Sequence, residues 1–323
     1  YFTLRTAFMQ DDAENNSEVF RQFEANREVI LSRLQAINPS EEPYGNNSQD
    51  VLIPAFLAAY SGQDASEVGL SPFPRIPLPN WRVDYAGLPR LIPSLGDVFS
   101  SLNISHAYTS TYGVSNYTNS LLYDNNDTGL LLSNDVEDYP LATQVDPTLP
   151  EEQQTLVPVF QIQQVVITER FSPLIGLNIS TKTRFRGRMS YDIERSLALN
   201  MSNAQLTELN SRAFNFTLGF TKSEITLPFR IEGRTVTLEN DMTFNLSMTL
   251  KDTKTIQRKL DEESTVTNGN INFQLRPTVD YRVNDKLNIQ LYFARTVNTP
   301  RVTNSFPRTT TEFGVQARFN LAQ

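Results

Sequence analysis

From Ile175 to Leu321, apolar and polar residues alternate with a period of two, segment after segment. Ile175, Leu177 and Ile179 alternate with Gly176, Asn178 and Ser180. Phe185, Met189, Tyr191 and Ile193 alternate with Arg184, Arg186, Arg188, Ser190 and Asp192. The same rule orders Phe214, Phe216, Leu218 and Phe220; Met242, Phe244, Leu246, Met248 and Leu250; Ile271, Phe273, Leu275, Val279, Tyr281 and Val283; Leu287, Ile289, Leu291 and Phe293; and Phe313, Val315, Ala317, Phe319 and Leu321. Successive side chains of a strand point to opposite faces, so each segment predicts a strand with one apolar and one polar face. Short polar links, Glu232–Arg234 and Val283–Asp285, alternate with longer ones, Asp261–Gly269 and Thr299–Arg308. That predicts a meander of antiparallel hairpins. With Tyr1–Met9, Ser101–Tyr112, Ser115–Tyr123 and Val159–Thr168 as weaker early members, the chain holds about eleven strands.

A different period rules residues 17–37. Phe20, Phe23, Arg27, Ile30, Leu34 and Ile37 recur every three or four positions, with Asn16 or Ser17 available as N-cap and Asn38-Pro39 as a stop. This predicts one amphipathic helix packed against something larger. Its three Glu against three Arg do not suit a membrane-surface helix, whose polar face is rich in Lys and Arg. Residues 39–99 are rich in Pro, Ser, Gly and Asp, are interrupted by the apolar run Val51–Tyr60, and include SPFPRIPLPNW from Ser71 to Trp81. Such proline spacing forbids a sheet interior and favours extended polyproline geometry. The organisation read from the sequence is therefore a strand at 1–9, a helical and Pro-rich insertion at 10–99, and strands with loops at 100–323.

Alternation alone does not say which face is inside, because a soluble antiparallel sandwich shows the same pattern. Three features favour apolar-out and polar-in. The polar positions are mostly Asn, Ser, Thr, Gln and Arg, and the whole chain has only six Lys, fewer than a solvated sheet face carries. Segments such as Thr235 to about Leu260 run past the usual strand length. Phe273 and Tyr281 stand near opposite ends of one apolar row, which at a tilt near 40° spans about 20 Å, close to the height of a membrane barrel's apolar band. Hydrocarbon offers the backbone no hydrogen-bond partner, so a spanning sheet must close into a barrel. The fold class predicted is all-β and membrane-embedded: part of the wall of a large antiparallel transmembrane β-barrel. An odd strand count beginning mid-strand at Tyr1 predicts a further portion on the N-terminal side, since such barrels usually have an even count.

Composition narrows the chemistry. The 323 residues carry 28 Lys+Arg against 36 Asp+Glu, no Cys and one His. No thiolate nucleophile, disulfide framework or Cys-rich zinc site is available. His106 is the one candidate base for a Ser-His-Asp triad, and it lies in a strand-like run that reads as plain wall. An acidic chain makes nucleic acid an unsuitable partner. Asp11, Asp12 and Glu14, with the pairs Glu41-Glu42 and Glu151-Glu152, lack the spacing of a calcium loop and read as solvated acidic faces. No apolar run reaches 18 residues, so no transmembrane helix is predicted, and no signal peptide is visible at Tyr1. No cofactor, metal or catalytic residue is expected. Residues 201–323 carry 15 Lys+Arg against 12 Asp+Glu, whereas the preceding part is acidic.

The runs IPLPNWRVDYAGL (Ile76–Leu88), SHAYTSTYGV (Ser105–Val114), ITERFSPLIGLNI (Ile167–Ile179), NMSNAQLTEL (Asn200–Leu209) and FGVQARFNLAQ (Phe313–Gln323) closely resemble the C-terminal end of the SprA/Sov family. Those are the very large outer-membrane translocons of the type IX secretion system in Bacteroidota. The resemblance extends over most of this chain but covers only the last portion of such a protein. It implies a giant barrel that conducts folded cargo, with a lateral opening toward the membrane. It also implies partners: the remaining N-terminal part of the translocon, a PorV-type shuttle barrel, a plug protein, a periplasmic peptidyl-prolyl isomerase, secreted cargo and the lipid bilayer. Two alternatives come from the residues alone, a porin or TonB-dependent-type barrel for small solutes and a soluble β-rich binding module.

Within the barrel reading, each side chain has an expected direction. Arg184, Arg186, Arg188, Asn245, Gln274, Arg276 and Arg318 are lumen-facing candidates. Phe185, Phe214, Phe216, Phe220, Phe244, Phe273, Phe293, Phe313 and Phe319 are lipid-facing candidates. The three arginines at 184, 186 and 188 share one face, where exposure to mid-bilayer lipid would cost about 2–4 kcal/mol each. They either tune the lumen's field or pair with acids on neighbouring strands. With a periplasmic C-terminus, Val283–Asp285 and Glu232–Arg234 are periplasmic turns and Asp261–Gly269 and Thr299–Arg308 face outside. Parity then places the 10–99 insertion in the periplasm, opposite Thr299–Arg308.

Overall fold

In a computed structural model the chain is described at residues 6–9, 11–12, 14–37, 44–73, 80–120, 144–145, 150, 156–158, 160–231, 234–302 and 305–319. The elements in chain order are helices α1 (Glu18–Ile37) and α2 (Gln49–Ser61), strand β1 (Trp81–Tyr85), short helices α3 (Leu88–Leu91) and α4 (Pro93–Val98), and strand β2 (Phe99–Asn119). Then come β3 (Gln144–Val145), β4 (Leu156–Val157), β5 (Phe160–Thr181), β6 (Phe185–Asn200), β7 (Gln205–Lys222), β8 (Ile225–Ile231), β9 (Arg234–Leu238), β10 (Met242–Lys259), β11 (Thr265–Arg282), β12 (Leu287–Pro300) and β13 (Arg308–Phe319).

Nine strands form one antiparallel sheet in the order β1-β2-β5-β6-β7-β10-β11-β12-β13; β3-β4 and β8-β9 are separate two-stranded ribbons. Neighbours in the large sheet are neighbours in the chain wherever no ribbon intervenes, as the expected meander requires. The strand bounds differ from the sequence reading in a consistent way. Ser101–Tyr112 and the described beginning of Ser115–Tyr123 fall in one strand, β2, and residues 160–168 of Val159–Thr168 join Ile175–Ile179 in β5; residues 121–123 and 159 lie outside the described ones. A bulge interrupts the period of β5 without ending it: Phe171 pairs with Ile193, and Ile175 with Tyr191, so β5 holds two extra residues. An even insertion returns the chain to the same face, which is why the two halves of β5 remain one surface. The Glu232–Arg234 link closes the β8-β9 ribbon rather than a hairpin of the main sheet, and its residues 232–233 lie outside the described ones.

The strand expected at Tyr1–Met9 is not seen where it can be judged. Tyr1–Arg5 lie outside the described residues, and Thr6–Phe8 form a turn. The insertion also differs from a single body on one side of the sheet. α1 and α2 cover one end of the strands, β1 runs beside β2 as the edge of the sheet, and α3 and α4 lead into the opposite end. The end under α1 and α2 carries the turns at 201–204 and 260–264; the other carries those at 182–184 and 283–286.

The dry core is local to the first of these ends. α1 begins with Ser17 Oγ accepting from the Phe20 amide, an N-cap that fixes its first turn. α2 ends at Gly62, whose positive φ of 67° closes the helix as only glycine does cheaply. Phe23, Ile30 and Leu34 of α1 and nearly every residue of α2 bury against Val165, Ile167, Leu197, Leu199, Leu206 and Ile256 of the sheet. Arg27 of α1 pairs with Asp261 at 3.3 Å, and the Asp261 amide donates to Glu24. Gln49 of α2 donates to Phe160 O and accepts from Ile162 N, so its side-chain amide bonds the start of β5 as a neighbouring strand would. No described helix is long and apolar enough to cross a membrane.

The insertion and the Asp261 turn therefore share one end of the sheet. This corrects the parity argument, which put residues 10–99 and Asp261–Gly269 on opposite sides. The expectation counted 10–99 as one uninterrupted loop, whereas the strand β1 within it takes the chain along the sheet to the other end.

Candidate functional site

The cross-strand register sorts the large sheet into two chemically distinct faces. Phe185 pairs with Phe220, Phe220 with Phe244 and Phe244 with Val279; Met189 pairs with Phe216, Phe216 with Met248 and Met248 with Leu275. Phe293 pairs with Phe313, and Leu287 with Phe319. Following these pairs and the two-residue period, all nine expected lipid-facing phenylalanines lie on one face, with Ile175, Leu177, Leu250 and Leu291 among them. Three of them are open, Phe244 at 37%, Phe313 at 73% and Phe319 at 68% exposed, and the other six are part-buried.

The opposite face carries Arg186, Arg188, Asn245, Gln274, Arg276 and Arg318, as expected. Short amides and hydroxyls knit it across the strands. Asn215 donates to Asp192, Thr249 to Asn215, Gln290 to Asp280 and Asn272 to Asn298. Arg276 lies over the Tyr292 ring, 5.8 Å from its centre. Beside the β5 bulge this face opens into a recess of about 650 Å³ lined by Arg82, Asp84, Asn178, Arg188 and Asp192.

Arg184 departs from the row. It sits in the turn between β5 and β6 with a positive φ of 61°, donates to Ser223 and lies 3.5 Å from Asp241. The alternation continues through it in the sequence, but the turn rotates it out of the strand's register. The two readings of the arginine row thus divide: Arg184 pairs with an acid, while Arg186 and Arg188 form no ion pair among the described residues.

Past the apolar band, toward the α1–α2 end, the same face turns into a belt of charge. Arg212 and Asp252 are opposite each other, and Glu169, Arg195, Glu208, Lys254 and Arg258 lie further along. Arg195, with 7% of its side chain exposed, donates to Glu169, Thr6 O and Thr6 Oγ1, while Tyr108 OH donates to the other Glu169 oxygen. Arg258 is fully buried and donates to Glu208, Asn15 O, Ser264 and Asp11. Buried charges persist when they are paired and hydrogen-bonded, and each guanidinium here meets a carboxylate and further oxygen acceptors. Together they strap residues 6–9, 11–12 and 14–15 across the sheet between the apolar band and α1–α2. Asp11 is thus half-buried in an ion pair, not on the solvated acidic face expected of it; Glu41-Glu42 and Glu151-Glu152 lie outside the described residues. Burial pushes the Asp11 carboxyl above its usual range, against the pull of Arg258 and helped by the nearby Glu208. Burial likewise pushes the Tyr60 phenol up, beneath the Arg195 guanidinium.

His106 lies on the apolar face between the Trp81 and Phe171 rings, with Nδ1 2.7 Å from Leu174 O. Neither this cross-strand charge network nor α2 was visible in the sequence. Compared with the models of known protein families and with curated proteins, the sequence matches none.

Proposed function

We propose that this chain is a section of the wall of a protein-conducting outer-membrane barrel, the C-terminal part of a type IX secretion translocon of the SprA/Sov kind. One observation carries the reading: a single antiparallel sheet of nine strands whose phenylalanine-bearing face is apolar through its middle rows, Arg295 apart, and whose other face is lined by amides, hydroxyls and arginines. A wall of this kind turns the first face to hydrocarbon and the second to a water-filled lumen. Met242 and Leu250 lie eight residues apart on the first face, which at a tilt near 40° is about 20 Å of height, in keeping with the hydrocarbon layer. The sheet's outer strands, β1 and β13, each pair on one side only among the described residues, which supports a wall completed by other strands over a closed small-solute porin. The same proposal includes the partner proteins and cargo that the resemblance implies.

The cysteine-free sequence makes the test direct. Asn245→Cys and Gln274→Cys in intact membranes are expected to react with a water-soluble maleimide, while Phe244→Cys and Phe273→Cys are protected until detergent is added. Equal labelling of both sets, or a protein that leaves the membrane without detergent, overturns the reading. For transport itself, Arg186→Glu with Arg188→Glu is expected to lower cargo export from a normally assembled barrel.

A further inference from the structure

The boundary between the apolar band and the charge belt is built for an amphiphile. Arg212 precedes Phe214 by two residues on the same face, about 7 Å beyond the first aromatic row of β7. Beside it, Lys254 and Arg301 close a recess of about 210 Å³ under the strap, with Met9 on its rim. Arg301 reaches back over Gly269 to grip Asp252 through two nitrogens, at 2.7 and 2.5 Å. A Cβ at position 269 would come within 2.9 Å of Arg301, so the glycine is what allows that reach. The four acids around the recess are already engaged, Asp252 by Arg301, Glu194 by Arg170, and both Asp11 and Glu208 by Arg258. Lys254 pairs with Asp11 at 3.9 Å, a long contact to a carboxylate that Arg258 holds more closely, and the exposed Arg212 has no carboxylate at ion-pair distance among the described residues. One cation without a carboxylate and one held only by a long, shared pair thus converge at the height where headgroups begin, directly above a surface that suits acyl chains. Phe8 and Met9 of the strap, 50% and 55% exposed, frame the same spot.

We infer that this recess binds the phosphate of a membrane lipid, with the guanidinium of Arg212 and the ammonium of Lys254 as donors and the acyl chains lying along the Phe214–Leu250 surface. The inference rests on the proposed lipid-facing assignment of that face. Guanidinium and ammonium groups make their strongest hydrogen bonds to such oxyanions, and the neighbouring apolar rows supply the selectivity for a lipid over a free ion.

The test uses the protein purified from its own membrane with as much chain as the cell makes, transferred to mild detergent and titrated with phosphatidylglycerol under native mass spectrometry. Phosphatidylglycerol is expected to remain bound where diacylglycerol does not. The pair Arg212→Gln/Lys254→Gln is expected to weaken retention about tenfold, and Arg318→Gln on the other face to leave it unchanged. Equal retention by the double variant, or displacement of the lipid by millimolar inorganic phosphate, overturns the inference while leaving the wall assignment standing. A protein that needs no detergent overturns both.

Discussion

At the residue scale, two neighbouring carboxylates respond to acid in opposite directions. The Asp11 carboxyl is raised by burial, so the docked strap holds a proton more tightly than the free chain does. Its contribution is complete below the usual value of 3.8 and is lost as pH rises through the raised one. Asp12 is solvent-exposed and lowered, first by the hydrogen bond from the Asn16 side chain and then by the Asn16 amide. Its contribution is present above 3.8 and is lost as pH falls. Hydrogen-exchange protection factors at residues 14–16 are expected to fall on acidification in an Asp11→Asn protein, where only Asp12 titrates. In an Asp12→Asn protein they are expected to rise instead. The same trend in both would refute the assignment.

Glu169 and Arg195 offer a test of magnitude. Glu169→Leu strands a guanidinium that is nearly without solvent, at a cost of about 3–5 kcal/mol, whereas Glu169→Leu with Arg195→Leu recovers most of it. Thermal melts of the detergent-solubilised protein read the difference, and an equal loss in both variants would contradict the network described. None of this pairing was legible in the sequence, because Glu169 and Arg195 are 26 positions apart and meet only through the β5–β6 register.

At the scale of elements, what the sequence revealed and what it hid have one physical cause. A half-covered strand writes its environment into a two-residue period, so β6, β7, β10, β11, β12 and β13 could be read directly, and with them the shared face of the nine phenylalanines from Phe185 to Phe319. The helix α1 is amphipathic and could be read in the same way. α2 is buried on all sides, has no period to show, and carries Pro54 in its middle, so Val51–Tyr60 stood out only as an apolar run. β1 is five residues long and follows a proline-rich stretch that masks it. Phe56 in α2 is wholly buried against Phe23 and Tyr60, and Phe56→Ala is expected to cost about 3–5 kcal/mol, measured as an earlier melting transition.

The β5 bulge makes a sharper prediction. Removing one residue from 172–174 exchanges the two faces of β5 on one side of the deletion, while removing two preserves them. Heat-modifiable gel migration, the sign of an assembled barrel, is expected to survive the second deletion and not the first.

For the whole molecule, α1 and α2 sit at the Asp261 end of the sheet, and under the proposed function that placement sets which surfaces share a compartment. Glu28→Cys and Glu263→Cys are both exposed positions at that end. A membrane-impermeant reagent is expected to reach both from the same side of the membrane, and opposite accessibility would contradict the placement. The absolute side was not legible from alternation, which is blind to reversal of the whole sheet.

The long strands carry one more consequence. β10 has 18 residues, about 60 Å of extended chain, which is far more than the hydrocarbon layer needs. Under the proposed function, a passenger protein slides along a stiff plank rather than through a thin ring, and along β10 the plank is surfaced with amides and hydroxyls, Lys251 and Lys259 apart, each of modest grip. The stronger footholds are the arginines of the flanking strands, which is where charge reversal is expected to slow traffic.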